Sequence, residues 1–120
     1  MRGVYSVAFL LPMGAERSLG DDGWEFNSEQ RISSQLESVL KGEYLLRTAS
    51  DECSYFEGEN ISIDVFKDRN GLVENVFFRF YGGVPPNLPV CLRNAEFIKE
   101  TEFFVPCPVQ PAKGPEAGVA

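Results

Sequence analysis

Chemistry in this chain would have to come from carboxylates or thiols, because its 120 residues include no histidine. That removes the Ser-His-Asp and Cys-His arrangements, an imidazole base and histidine metal ligands. Two carboxylate pairs remain as candidates. Asp64 and Glu74 fall on what read as neighbouring strands, and Glu57 and Glu59 are two positions apart, so a glycosidase-like or magnesium-binding site is conceivable. Carboxylates that alternate along strands more often face solvent. The turn around Asp68 and Asn70 does not make a calcium loop, since Phe66 precedes Asp68 by two positions and Phe77 stands where the bidentate glutamate belongs. Gly82-Gly83 lacks the strand-to-helix setting of a phosphate cradle and reads as a break. Cys53, Cys91 and Cys107 are widely spaced and odd in number, which argues against both a disulfide framework and a zinc site. No metal and no cofactor are expected.

Binding is the alternative. The chain carries 18 acidic and 11 basic side chains, a net charge of −7, which disfavours nucleic acid as a partner. Glu43, Asp51, Glu52, Glu57, Glu59 and Asp64 are opposed in their stretch only by Arg47, and Asp21, Asp22, Glu25 and Glu29 form a second acidic group. Such a surface attracts a basic partner, although it also serves simply as a solvated, solubilising face. Aromatic residues lie among these charges: Trp24, Tyr55, Phe56, Phe66, Phe77 and Tyr81, with Arg79 placed to stack on them or to pair with Asp64. Aromatic and arginine anchors ringed by charge are typical of protein interfaces. The plainer reading of Phe66 and Phe77 is a cross-strand pair that stabilises the sheet.

The elements that would position these residues follow from hydrophobic periodicity. Val4 to Leu11 reads as a buried strand ended by Pro12, and Met13 to Phe26, with three glycines and two aspartates, as a loop carrying Trp24. Ile32, Leu36, Val39 and Leu40 recur at helical spacing, which predicts a helix over Ser28 to Lys41, with Asn27 and Gln30 resembling a capping box and Gly42 at the stop. Tyr44 to Thr48 reads as a short strand and Cys53 to Phe56 as a loop or edge strand. Ile61, Ile63 and Val65 alternate with Ser62, Asp64 and Phe66; after the turn at Asp68 to Gly71, Val76, Phe78 and Phe80 alternate with Asn75, Phe77, Arg79 and Tyr81. Leu88, Cys91, Leu92, Ala95 and Ile98 predict a second helix over Asn87 to Lys99, and Phe103 to Val105 a last strand.

The expected fold is therefore α+β, in the order β-α-β-β-β-α-β: a mainly antiparallel sheet of four to five strands with two helices packed on one face. Residues 1 to 108 form the single domain, and the Pro/Gly/Ala-rich stretch 109 to 120 is expected to be a disordered tail. The longest apolar stretch is too short to span a membrane and no signal peptide is evident, so a cytoplasmic location is expected, without membrane contact.

The stretch Tyr55-Phe56-Glu57-Gly58, the strand Ile61 to Val65, the run Val76 to Gly83, the helical segment Leu88 to Lys99 and the ending Phe103-Phe104-Val105-Pro106 resemble, in layout, small cytoplasmic immunity proteins of bacterial toxin systems. The likeness spans residues 28 to 108. It implies a non-enzymatic protein that binds and neutralises a cognate toxin, and the acidic surface would suit a basic toxin domain. The partner-binding candidates are then Trp24, Tyr55, Glu57, Glu59, Asp64, Phe66, Phe77, Arg79 and Tyr81. A small carboxylate-dependent enzyme and a generic protein-interaction adaptor are the alternatives.

Overall fold

The structure, a computed structural model, describes residues 4–106. It is α+β, built on one antiparallel sheet of six strands rather than four or five: β1 (Tyr5–Pro12), β4 (Leu45–Ala49), β5 (Cys53–Gly58), β6 (Ile61–Lys67), β7 (Val73–Tyr81) and β8 (Thr101–Phe104), ordered β4-β5-β6-β7-β1-β8. β4 and β5 lead directly into the β6–β7 hairpin, so the segment Cys53 to Phe56, open between a loop and an edge strand from sequence, is a strand. The expected tail 109 to 120 and Cys107 lie outside the described residues.

Alternation along the strands sorts the side chains into two layers. Ala8, Leu10, Phe56, Ile61, Ile63, Val65, Val73, Val76, Phe78 and Phe80 turn to one side and are buried there with Ile32, Leu36, Leu40, Leu92 and Phe97, while Phe103 packs against the same core. The apolar face read from the β6 and β7 alternation is therefore the core face, and Phe56, expected among the binding aromatics, belongs to it because it stands opposite Ile63 and is fully buried. Helix α1 (Gln35–Glu43) covers it through Leu36 and Leu40, and α2 (Val90–Arg93) through Leu92.

Four local expectations need correction. The segment Met13 to Phe26 is not a loop: β2 (Glu16–Gly20) and β3 (Gly23–Asn27) form a separate two-stranded hairpin, with Arg17 opposite Phe26 and Leu19 opposite Trp24. Its turn is Asp21-Asp22, closed by Gly23 at φ 115°, a conformation open to glycine and costly for other residues. Helix α1 starts seven residues later than Ser28. The Ile32 N–H donates to the Val73 carbonyl at 3.0 Å, so Ile32 is spent as a strand-like bridge. Arg31 locks the preceding stretch, donating to the carbonyls of Ser28 and Gln30 and to Asp68. The Asn27–Gln30 capping box is accordingly absent; the Gln30 N–H bonds Ser28 Oγ instead, and Gly42 lies inside the helix.

The second helix is broken rather than continuous. A single turn, α2, begins after Pro89, and a 3-10 helix follows at Glu96–Glu100, the two separated by Ala95 in extended conformation. Leu92 and Phe97 are both in the core, yet five positions in one α-helix would place them about 140° apart. The break lets both reach the sheet. The expected apolar face, Leu88, Cys91, Leu92, Ala95 and Ile98, nevertheless packs on the core throughout.

Candidate binding face

The side of the sheet opposite the core is only half covered. Its β1–β8 end lies under the β2–β3 hairpin, which is attached through side chains: Phe26 lies 4.8 Å from Phe9 between ring centroids, Trp24 meets Phe104 edge-on at 5.0 Å, and Arg17 pairs with Glu102 at 2.7 Å while lying 4.5 Å over the Phe104 ring. From β7 to β5 the outer face carries no such layer among the described residues.

Register places the candidates in rows. Tyr55, Asp64 and Phe77 stand abreast on β5, β6 and β7, and the row continues through Phe9 to Phe104. Glu57, Ser62, Arg79 and Val7 form the next row, and Tyr81 opposite Tyr5 the one beyond. Toward the other end lie Cys53 and Phe66, with Asn75 opposite Phe66. Seven of the nine sequence candidates thus share one surface: Tyr55, Glu57, Asp64, Phe66, Phe77, Arg79 and Tyr81. The expected Phe66–Phe77 cross-strand pair does not form, because Phe66 faces Asn75 and Phe77 faces Asp64; Phe77 stacks instead against Phe9 at 5.0 Å.

Arg79 organises the centre. Its Nη1 donates to Ser62 Oγ at 3.1 Å, its Nη2 pairs with Asp64 Oδ2 at 3.1 Å, and its guanidinium lies 4.7 Å from the Phe77 centroid and 6.0 Å from that of Tyr5. A guanidinium held this way keeps one orientation, so less rotamer freedom is left to lose on binding. Burial pushes the Asp64 carboxyl above its ordinary value, with Arg79 opposing that shift. At the β5 side, the Tyr55 hydroxyl donates to Glu57 Oε2 at 3.3 Å, and Arg47 Nε lies 3.5 Å from Glu57 Oε1. Burial, then the Glu57 charge, raises the Tyr55 hydroxyl above the usual phenol range.

Two candidates stand apart. Trp24 is carried by β3 over β8, which is four strand spacings, or about 19 Å, from the β5 of Tyr55. Glu59 lies in the exposed turn between β5 and β6, beside Asn60, whose φ is 62° and whose carbonyl accepts from the Tyr81 N–H at 2.9 Å.

Asp64 and Glu74, the first candidate carboxylate pair, take different partners. Asp64 is held by Arg79, whereas Glu74 approaches Arg31 at 3.7 Å and Arg31 Nε pairs with Asp68 at 2.8 Å. Among the described residues no group of three or more Asp, Glu, Cys or His is placed to hold a metal ion. The charged groups on the face itself pair as Arg47–Glu57, Arg79–Asp64 and Arg17–Glu102, and further exposed acid lies in turns, at Asp21 and Asp22, Asp51 and Glu52, and Glu59, as well as on the β2–β3 hairpin at Glu16 and Glu25 and at the end of α1 at Glu43.

Sequence reading did not single out Tyr5, Phe9, Phe104, Ser62 or Arg47. The Tyr5-Val7-Phe9 alternation against Ser6-Ala8-Leu10 was the available signal for the first two, lost by treating the whole strand as buried. No helix among the described residues is long and apolar enough to cross a membrane. Comparison of the chain with protein-family models, with curated proteins and with solved structures finds no match.

Proposed function

We propose that this chain is a non-enzymatic binding protein that docks a protein partner on the uncovered outer face of its sheet, and that it works as a cytoplasmic immunity protein against a basic toxin domain. The observation that carries the binding reading is the set of partly exposed rings, Tyr5, Tyr55, Phe66, Phe77 and Tyr81, around an Arg79 already held by Asp64 and Ser62. Tyrosine and arginine fixed at the centre of a face, with polar groups at its margin, match the composition of interface hot spots. Basic character in the partner follows from the net charge of −7 and from the carboxylates of the turns, which attract it over distances the rings do not reach. The immunity role rests on the resemblance in layout. The separate commitments of Asp64 and Glu74 weigh against the carboxylate-enzyme reading.

The test is binding to a toxin domain encoded beside this chain, measured with the parent protein and with Phe66→Ala, Tyr81→Ala and Arg79→Met. Docking on the outer face requires each change to speed dissociation. Tight binding that none of the three affects would place the interface elsewhere. A neighbouring toxin that neither binds nor is neutralised would remove the immunity role and leave the adaptor reading.

A further inference from the structure

The two edges of the sheet are unlike. β8 runs into Val105 and Pro106, and proline has no N–H to offer a neighbouring strand. β4 pairs with β5 on one side, and no strand lies on its other side among the described residues. The Ser50 N–H donates to the Cys53 carbonyl at 2.8 Å while the Cys53 N–H donates to Ser50 Oγ at 3.1 Å, so the Ser50 N–H points toward β5. In an antiparallel ladder the next pair, Ala49 with Ser54, is then the open kind, and the Ala49 N–H and C=O point away from β5. The register shift between Leu46 and Thr48 makes Arg47 the extra residue of a bulge, and its guanidinium turns back to Glu57 instead of guarding the edge. Leu45, at the start of the strand, is 58% exposed.

We propose that the β4 edge takes an extended, basic segment of a partner protein as an added strand. Main-chain bonds supply the pairing, and charge selects the occupant. Glu43, the last residue of α1, stands two positions before the strand, Asp51 and Glu52 stand two and three positions after it, and Arg47, the one cation between them, lies 3.5 Å from Glu57. A five-residue strand is roughly 17 Å long, so carboxylates flank both ends of the bound segment, within reach of its lysines or arginines. The same charges oppose pairing with a second copy, which would bring two such acidic ends together. This inference does not rest on the outer-face reading, because it concerns main-chain groups at the edge and would stand if the face bound nothing.

The probe is a synthetic ten-residue peptide alternating lysine and threonine, titrated while the backbone amide signals of β4 are followed by NMR. The expected result is a shift of the Leu45 to Ala49 amides and slower exchange at Ala49. Binding should weaken by about tenfold or more when alternate peptide amides are N-methylated, when glutamate replaces lysine, and when Ala49→Pro removes the outward N–H. Tyr81→Ala should leave peptide binding unchanged, which separates this site from the outer face. Equal binding by the N-methylated or acidic peptide would overturn the proposal. So would shifts confined to β6 and β7, no shift at millimolar peptide, or a dimer of the protein alone with β4 protected.

Discussion

Truncating Phe78 distinguishes the two faces of the sheet most sharply. Phe78 is completely buried, stacked 6.0 Å from Phe80 and meeting Phe103 edge-on at 5.8 Å, whereas Phe66 on the opposite face is 38% exposed. A phenylalanine that removes about 150–250 Å² from water is stabilised by about 4–6 kcal/mol at roughly 25 cal/mol per Å². Alanine retains a small part of that, and incomplete collapse around the gap adds a cavity term, so Phe78→Ala should cost about 3–5 kcal/mol. Phe66→Ala, with much of its ring already in water, should cost less than about 1 kcal/mol. Urea denaturation of both variants reads the contrast; with a slope of about 1–1.5 kcal/mol per M, the Phe78 midpoint falls by about 2–5 M or the domain is unfolded without denaturant. A Phe78→Ala loss below about 1 kcal/mol would refute the assignment of faces on which every later step depends.

Three further outcomes follow from local geometry. A Cβ on Gly58 would sit 2.5 Å from Cδ1 of the Tyr44 ring, so Gly58→Ala should lower the thermal midpoint, and an unchanged midpoint would show that the ring moves aside freely. Asp68 accepts from Arg31 and from the N–H groups of Asn70 and Leu72, which holds its carboxyl below the usual range. Its stabilising contribution is therefore present above the unfolded value of about 3.9 and lost as pH falls through the lower folded value; Asp64, shifted upward by burial, has the opposite sign, its contribution declining as pH rises from that unfolded value through its folded one. Asp68→Asn should flatten the loss of stability in acid, and an identical pH profile for the variant would contradict the turn assignment. Burial raises both the Cys53 and the Cys91 thiol, so in a Cys107→Ser background alkylation at neutral pH should be slower than for a free thiol and recover in urea; rapid native reaction would count against it.

Much of the fold could be read from the chain, and the failures have physical causes. The alternation in Ile61 to Val65 and in Val76 to Phe80 reported which face is buried, because period two leaves no other arrangement with the apolar set inside. The arginine–carboxylate partnership of Arg79 with Asp64 was legible for the same reason, as the two residues share a face and stand diagonally, two positions apart in register, on paired strands. The β2–β3 hairpin was obscured by glycines and aspartates, although Arg17 and Leu19 before the turn and Trp24 and Phe26 after it keep the alternation. Helical periodicity overstates the start of α1 because Ile32 fits the pattern while its N–H is taken by the Val73 carbonyl. The second helix matched its apolar face but not its continuity, a matter settled by where Leu92 and Phe97 must both reach. At the site, charge counting could not distinguish Glu57, which is paired with Arg47, from Glu59, which sits in a turn.

The measurement closest to the central claim is the dissociation rate from the toxin domain that the proposed immunity role requires, for the parent protein, Tyr81→Ala, Phe66→Ala and the control Leu72→Ala, whose exposed side chain lies in the β6–β7 turn rather than on the outer face. Docking on the outer face predicts at least about tenfold faster dissociation for the two ring deletions, a loss of about 1.4 kcal/mol each, and no change for Leu72→Ala. Dissociation that is equally slow in all four proteins would contradict it.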